Sequence, residues 1–304
     1  MINEVNNLIK RIRKQGVKVI IDILMGIALF RYYQVKCKIL KIPIWKVPGS
    51  EDLRLIEEEI DRNGIVIKDL YLDKNEFEEF KNKFAFGKDY HCFKPYLFNE
   101  KMLEYFIAYK FCISQLNKNE IYIDAAARES PWAKLLREKG YNAYAIDLQC
   151  SLKYESLEYY KVMDATTTTF KDGSISAVSL QCAYEMFNRD DDIKFIHELK
   201  RILRKDGRAL IVPFYMNTYY SGFSSPEYYF KKEFHDRDAK VYVASNNMRG
   251  IPFARFYDVK KFEDRVLATI EENNLKYNFY VLRNNKAIDQ NIYWHFILEI
   301  IKED

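Results

Sequence analysis

Three aspartates, Asp124, Asp147 and Asp164, stand at the carboxyl ends of three short apolar runs, Ile121–Asp124, Asn142–Asp147 and Tyr160–Met163. If those runs are parallel strands, their carboxyl ends share one sheet edge and the three carboxylates converge on it. The 23-residue step from Asp124 to Asp147 is the length of one βαβ unit. An acidic residue at the end of such a unit is placed to accept hydrogen bonds from ribose hydroxyls. Any one Asp in such a place also serves as an ordinary turn cap. As an ordered set, the three point to a nucleoside-binding edge.

The elements that would position these acids follow from periodicity. Ser130-Pro131 is a helix start, because Ser satisfies free N–H groups and Pro gives up no needed bond at the first helical position. Trp132 to Lys139 then reads as a helix that Gly140 ends. Ser174–Gln181 is a fourth strand, Asp190–Arg204 an amphipathic helix ended by Gly207, and Arg208–Val212 a fifth strand. Asp258–Asn274 is a helix, followed by strands over Leu275–Leu282 and Asn291–Ile301. Strands of near-continuous apolar character alternating with helices predict an α/β, doubly wound and mostly parallel sheet. Ahead of it, residues 51–118 read as a helical lead-in, with helices over Glu51–Asn63 and Leu97–Leu116. The expected organisation is therefore 1–50, 51–118 and a domain over 119–304 that carries an aromatic insertion at 214–250.

The segments Asp124-Ala-Ala-Ala-Arg-Glu-Ser-Pro131, Ile146-Asp147-Leu148, Met163-Asp164-Ala165, Ser179-Leu-Gln-Cys-Ala-Tyr-Glu-Met-Phe187 and Arg201-Ile-Leu-Arg-Lys-Asp-Gly-Arg208 carry a family resemblance. Over roughly 120–215 the chain resembles the cofactor half of the class I S-adenosylmethionine-dependent methyltransferases. That resemblance implies a Rossmann-like sheet of seven strands, S-adenosylmethionine as cofactor and methyl transfer as the activity. It implies that Asp124, Ala125 and Ala126 line the methionine end with Ser130 and Pro131. It places Asp147, with Leu148 next to it, at the ribose hydroxyls, Asp164 and Ala165 at the adenine, and Gln181 and Cys182 beneath the sulfonium. Two positions depart from the family pattern. The first loop, Ala125-Ala-Ala-Arg128, has no glycine, although the family uses glycine there for positive φ and close approach. In the fourth strand, Ile175-Ser176 stands where Phe-Asp is frequent.

The resemblance extends to bacterial members associated with surface glycans, which implies O-methylation of a glycan or lipid-linked sugar. A hydroxyl acceptor needs a base for its proton, and the sequence offers Glu185, just past the fourth strand, and His235, in the insertion. The insertion's tyrosines and phenylalanines suit either sugar stacking or a packed lid. Arg249 and Arg255 suit either an anionic acceptor or ion pairs. The alternative function is a non-catalytic methyltransferase-fold subunit that binds or scaffolds, motivated by the glycine-free loop. An NAD-linked oxidoreductase is disfavoured, since no GxGxxG loop is present.

The net charge of +4 divides unevenly. Residues 1–50 hold ten Lys or Arg against Glu4 and Asp22, a sum of +8, which leaves −4 for residues 51–304. A basic end on an acidic body argues against a nucleic-acid-binding fold. Lys10, Arg11, Arg13, Lys14 and Lys18 precede the apolar run Val19–Phe30, and Arg31, Lys36, Lys38 and Lys41 follow it. Twelve helical residues span about 18 Å, short of a bilayer's hydrocarbon core. The run therefore reads as an interfacial helix on an anionic membrane surface through residues 1–40, or as an ordinary buried helix. Five widely spaced cysteines without a CxxC pair indicate a reducing, cytoplasmic setting, and four scattered histidines offer no zinc spacing.

Overall fold

The computed structural model describes residues 18–86, 98–245 and 248–304. The basic cluster Lys10–Lys14 lies outside these residues. In chain order the main elements are α1 (Lys18–Ile39), α2 (Ser50–Arg62), β1 (Ile67–Leu70), α3 (Lys74–Phe84), α4 (Phe98–Ala108), β2 (Ile121–Ala125), α5 (Trp132–Glu138), β3 (Asn142–Asp147), β4 (Tyr160–Val162), β5 (Ile175–Gln181), α6 (Asp191–Ile202) and β6 (Leu203–Phe214). They continue with β7 (Ser221–Ser224), β8 (Lys240–Val243), β9 (Ala254–Phe256), β10 (Lys276–Leu282) and β11 (Phe296–Lys302). The chain divides into two compact units. One is built from Tyr220–Arg255 and the described residues up to Lys46; the other from Val47–Tyr219 and Phe256–Asp304.

The larger unit contains an eight-stranded mixed sheet in the order β1-β10-β11-β6-β5-β2-β3-β4. The pairs β2–β3, β3–β4, β2–β5, β5–β6 and β1–β10 are parallel, while β11 runs antiparallel to both β10 and β6. This is the expected doubly wound architecture with one strand more than the expected seven. The addition is β1, four residues of the segment expected to be purely helical, which extends the edge beyond β10. The central strands are buried along nearly their whole length, as two-sided covering by helices requires. Helix α4 packs on β5 and β6, and α5 packs on β2 and β3.

Two boundaries differ from the sequence expectation. Helix α6 stops at Ile202, and Gly207 lies inside β6 rather than at a helix end. A Cβ at Gly207 would stand 2.8 Å from the Arg204 carbonyl oxygen and 3.1 Å from that of Ile175, so close backbone approach is what requires glycine. The last strand begins at Phe296 instead of Asn291, after a short helix at Asn285–Ile288.

Aromatic side chains from α3, α4 and α5 form a packed cluster. Phe84 meets Trp132 with ring centroids 4.8 Å apart, and Phe86 stacks on Tyr105 at 5.4 Å. Such pairs add about 0.5–1.5 kcal/mol beyond their area burial. The cluster fixes the start of α5, and with it Ser130.

In the smaller unit, β7, β8 and β9 form a three-stranded sheet in the order β8-β7-β9. Most of the expected aromatic insertion is therefore folded structure. Trp45 packs between Phe223 and Tyr242, and its backbone N–H donates to the Val243 carbonyl at 2.8 Å. Arg255 is fully buried and pairs with Asp236 at 2.7 Å, so of its two expected roles it takes the ion pair. Arg249 is exposed and lies over the Phe30 ring at 5.8 Å.

Helix α1 is longer than the expected run, 22 residues, or about 33 Å. Phe30 and Cys37 are buried, whereas Ile20, Ile21, Leu24, Met25 and Leu29 are exposed. Among the described residues, no helix is long and apolar enough to cross a membrane.

Candidate active site

The parallel register of β2, β3, β4 and β5 brings their carboxyl ends to one edge. Asp124 pairs across to Ala145, and Asp147 to Val162, so the acids sit on neighbouring strands as the spacing predicts. Their environments differ sharply. Asp124 is 1% exposed. Its Oδ2 accepts from Ser130 Oγ at 2.7 Å, while its Oδ1 is buried with no hydrogen-bond partner. Burial raises its pKa to about 7, against the opposing hydrogen bond from Ser130. Ser130 Oγ in turn accepts from the Tyr105 hydroxyl at 3.0 Å and from the Trp132 N–H at 3.2 Å, the capping role expected for it. Pro131 occupies the N-cap position of α5.

Asp147 is partly exposed and already engaged. Its Oδ2 accepts the Arg128 N–H at 3.1 Å and its Oδ1 the Gln149 N–H at 2.9 Å. The adjoining Leu148 is 69% exposed. Asp164 is exposed and caps its own turn, accepting from the Thr166 N–H and hydroxyl at 2.8 Å each, while Ala165 beside it is buried. Beside Asp147 lies a shallow cleft of about 10 Å³ lined by Arg128, Gln149, Cys150, Tyr160 and Lys161. That is far smaller than the roughly 300 Å³ or more of most small-molecule sites.

The glycine-free loop adopts the backbone that glycine would favour. Ala126 has φ 54° and Arg128 has φ 26°. A non-glycine residue held in that region costs about 1–2 kcal/mol. Ala125 and Ala127 are buried, and the Ala127 N–H donates to the Ile146 carbonyl at 3.0 Å, which holds the loop against β3. We expect Ala126→Gly to raise the denaturant midpoint by the equivalent of about 0.5–1 kcal/mol, after the greater freedom of glycine in the unfolded chain is subtracted. A lower midpoint would show that Ala126 carries no strain.

Past β5 the site becomes acidic. The side chain of Gln181 turns back, donating from Nε2 to Ser179 Oγ at 2.5 Å. Cys182 has φ 54° and donates through Sγ to Glu185 Oε1 at 3.5 Å; its sulfur also lies 3.5 Å from the Tyr215 hydroxyl, which is 3.0 Å from that of Tyr293. Glu185 is 7% exposed and its Oε2 has no hydrogen-bond partner. Burial raises its pKa. On α4, Glu104 is fully buried and Glu100 nearly so, and Lys101 donates to both Glu104 oxygens at 3.0 and 2.9 Å. Glu104 is coupled electrostatically to Glu100, Lys101 and Glu185, and burial raises its pKa to about 8.

Both Asp124 and Glu104 hold their protons more tightly folded than unfolded, so the stability this contributes is complete at low pH and is lost as pH rises through their folded values. Unfolding free energy should fall between about pH 5 and 8, by at most about 1.4 kcal/mol per pH unit for each group. Glu104→Gln should flatten that slope. Denaturant titrations across the range measure it, and a stability that rises with pH in the wild type contradicts the assignment.

Glu100, Lys101 and Glu104 did not figure in the sequence reading, and Tyr293 was assigned to a strand. The available signal was a pair of acids four residues apart with a lysine between them, on a helix otherwise apolar around most of its circumference. His235 belongs to the smaller unit. Its Nε2 lies 2.8 Å from Ser224 Oγ, which donates to the Pro252 carbonyl and therefore accepts from the ring. Burial lowers the His235 pKa, keeping the ring neutral near pH 7.

Residues 123–211 match a family model described as a methyltransferase domain. No curated protein matches by sequence. Among solved structures, the YcgJ protein of Bacillus subtilis is 15% identical with a TM-score of 0.43, over 66% of this chain and 99% of its own. The 1,6-didemethyltoxoflavin-N1-methyltransferase of Burkholderia thailandensis is 12% identical with a TM-score of 0.46, over 79% of this chain and 94% of its own. The phosphoethanolamine N-methyltransferase 2 of Haemonchus contortus is 12% identical with a TM-score of 0.42, over 82% of this chain and 60% of its own.

Proposed function

We propose, from the match of residues 123–211 to a methyltransferase-domain model, that this chain transfers a methyl group from S-adenosylmethionine to a hydroxyl of a glycan or lipid-linked sugar. The observation that carries the reading is the single edge on which Asp124, Asp147 and Glu185 lie, with Asp124 Oδ1 and Glu185 Oε2 both buried and lacking partners. Buried acceptors of this kind demand donors. The residues fit the cofactor. Asp124 Oδ1 suits the amino group of its methionine end, the carboxylate of Asp147 suits its ribose hydroxyls, and exposed Leu148 gains cover from its base. Asp164 with Ala165, and Gln181 with Cys182, complete the assigned contacts at the adenine and the sulfonium end.

When bound, the cofactor supplies an electrophilic methyl carbon. The protein's work is to orient an acceptor oxygen in line with it and to take the proton. We assign the proton to Glu185, whose buried Oε2 has no hydrogen-bond partner and whose other oxygen is steadied by the Cys182 thiol. His235, with Nε2 bonded to Ser224, is not needed for this step. Calorimetry with S-adenosylmethionine and S-adenosylhomocysteine tests the reading. The absence of both heat and thermal protection at millimolar ligand would overturn it, in favour of a non-catalytic binding subunit.

We further assign α1 to the surface of an anionic membrane on the cytoplasmic side, where a lipid-linked acceptor would lie. Leu24 and Met25 are 60% and 58% exposed, Ile39 is 73% exposed, and Lys36, Lys38 and Lys41 follow on the same segment. Apolar side chains with flanking lysines suit insertion among acyl chains beside anionic headgroups. Full-length protein should co-sediment with phosphatidylglycerol vesicles more than with phosphatidylcholine vesicles. The double variant Leu24→Glu, Met25→Glu should reduce that binding at least about tenfold, since each apolar side chain buried is worth about 1.5–3 kcal/mol. Undiminished binding by the variant would dismiss the assignment.

A further inference from the structure

We propose that Tyr293, Tyr215 and Cys182 form a one-way chain of hydrogen-bond donors ending on Glu185 Oε1, which favours the ionised carboxylate and leaves Oε2 as the oxygen that takes the acceptor's proton. This rests on the assignment of Glu185 as the base and adds three positioning residues to it.

The direction of the chain follows from counting hydrogens. An ionised carboxylate only accepts, so across the 3.5 Å to Glu185 Oε1 the Cys182 thiol is the donor. A thiol has a single hydrogen. The Tyr215 hydroxyl, 3.5 Å from the same sulfur, therefore donates to it. A phenol also has a single hydrogen, so at the next contact, 3.0 Å, the Tyr293 hydroxyl donates to that of Tyr215. The donors all point one way and polarise one another toward the carboxylate.

The end of β6 brings these groups together. Cys182 is held at φ 54° while its N–H donates to the Val212 carbonyl at 3.0 Å. A side chain kept in that left-handed region is strained, and such strain gathers at functional sites. β6 ends at Phe214 and Tyr215 follows directly, its carbonyl accepting the Tyr257 N–H at 3.1 Å. The Tyr215 ring lies 5.0 Å from that of Phe256 and stacks on that of Tyr293 at 6.2 Å, which fixes where the two hydroxyls meet.

Burial opposes ionisation of Glu185, and the thiol bond opposes the effect of burial. From α4, Lys101 also favours the ionised form, while Glu104, coupled to Glu185, disfavours it; Glu100 and Lys101 act on Tyr293. With Oε1 engaged by the chain, Oε2, which has no protein partner, is left for the acceptor hydroxyl. The hydroxyl proton goes to Oε2 as its oxygen gains the methyl, and the sulfonium sulfur keeps the electron pair of the broken S–CH₃ bond. Oε1 retains the thiol throughout.

The test is the protonation midpoint of Glu185, read without any acceptor by ¹³C NMR of full-length protein labelled at its glutamate carboxyls. The resonance missing from Glu185→Gln gives the assignment, and the amide spectrum of each variant checks its fold. Cys182→Ala should raise the midpoint by about one pH unit, a tenfold change in proton affinity, and Tyr215→Phe by about half a unit. Tyr293→Phe should raise it least. Cys182→Ser restores a single donor and should return the midpoint to within about 0.3 unit of wild type. Added to Cys182→Ala, Tyr215→Phe should move it by no more than about 0.2 unit, because its effect passes through the sulfur. An unmoved midpoint in Tyr215→Phe, or a shift of full size in the Cys182→Ala background, overturns the chain and leaves Glu185 standing as the base. The pH profile of methyl transfer should move with the NMR midpoint. A profile that stays in place while the midpoint moves removes Glu185 as the base, and the catalytic role of the chain with it.

Discussion

Replacing Asp147 with alanine is expected to weaken S-adenosylhomocysteine binding by about 10- to 100-fold, with the fold retained. Hydrogen bonds to a charged group are worth about 1.5–3 kcal/mol each, and about 1.4 kcal/mol is a factor of ten. On the proposed reading Asp147 would accept two from the ribose hydroxyls, but it already accepts the N–H groups of Arg128 and Gln149. The net gain on binding is thus smaller than two free bonds would give, and the lower half of the range is the better expectation. Asp147→Asn keeps an acceptor oxygen without the charge and should fall between alanine and wild type. Calorimetry at fixed ionic strength measures all three, and unchanged affinity in the alanine variant removes Asp147 from the site.

Glu185→Gln should lower the rate of methyl transfer by about 10²- to 10⁴-fold, the usual range for a positioned acid–base group. Binding of S-adenosylhomocysteine should change little. Burial holds the Glu185 carboxyl above its ordinary range, and only its ionised form accepts a proton. The wild-type rate should therefore climb with pH through that raised value and level off above it. The glutamine variant should lack the climb. S-adenosylhomocysteine formed on a panel of small saccharides and glycolipids provides the readout. A variant that loses rate but keeps the wild-type pH profile would mean that another group takes the proton.

The acid-bearing strand ends were legible because parallel strands covered on both faces must be apolar throughout, so a polar residue closing such a run stands out. Asp124 and Asp147 illustrate this, and their register in β2 and β3 follows. Asp164 shows the limit: the same placement yields a side chain spent on its own turn. The carboxyls of α4 were not legible, because an amphipathicity argument sorts charged residues to solvent, and Glu104 is fully buried by contacts that only tertiary packing supplies. Nor was β1 legible, since Ile-Lys-Asp-Leu has two adjacent charged residues in place of a strand's alternation and carries no local signal for a partner more than two hundred residues away. The loop at Ala126 reverses the usual inference from glycine. Its left-handed backbone is imposed by the Ala127 hydrogen bond to β3 and by Ser130 closing back on the Ala127 carbonyl, not by residue preference.

The far edge of the large sheet sets the order in which this protein can be made. β1 precedes its partner β10 by about two hundred residues, and Leu72 is held by Asn284 across a separation of 212. Strand β11, last in the chain, is not at an edge but between β10 and β6. The unit therefore cannot close before β11 has been made, and until then both β6 and β1 present unpaired backbone. High sequence separation makes such closure slow. Loss of β11 would split the sheet rather than trim it, leaving β10 and β1 joined to the rest of the core by side-chain packing such as Phe279 on Phe214 and not by a backbone ladder.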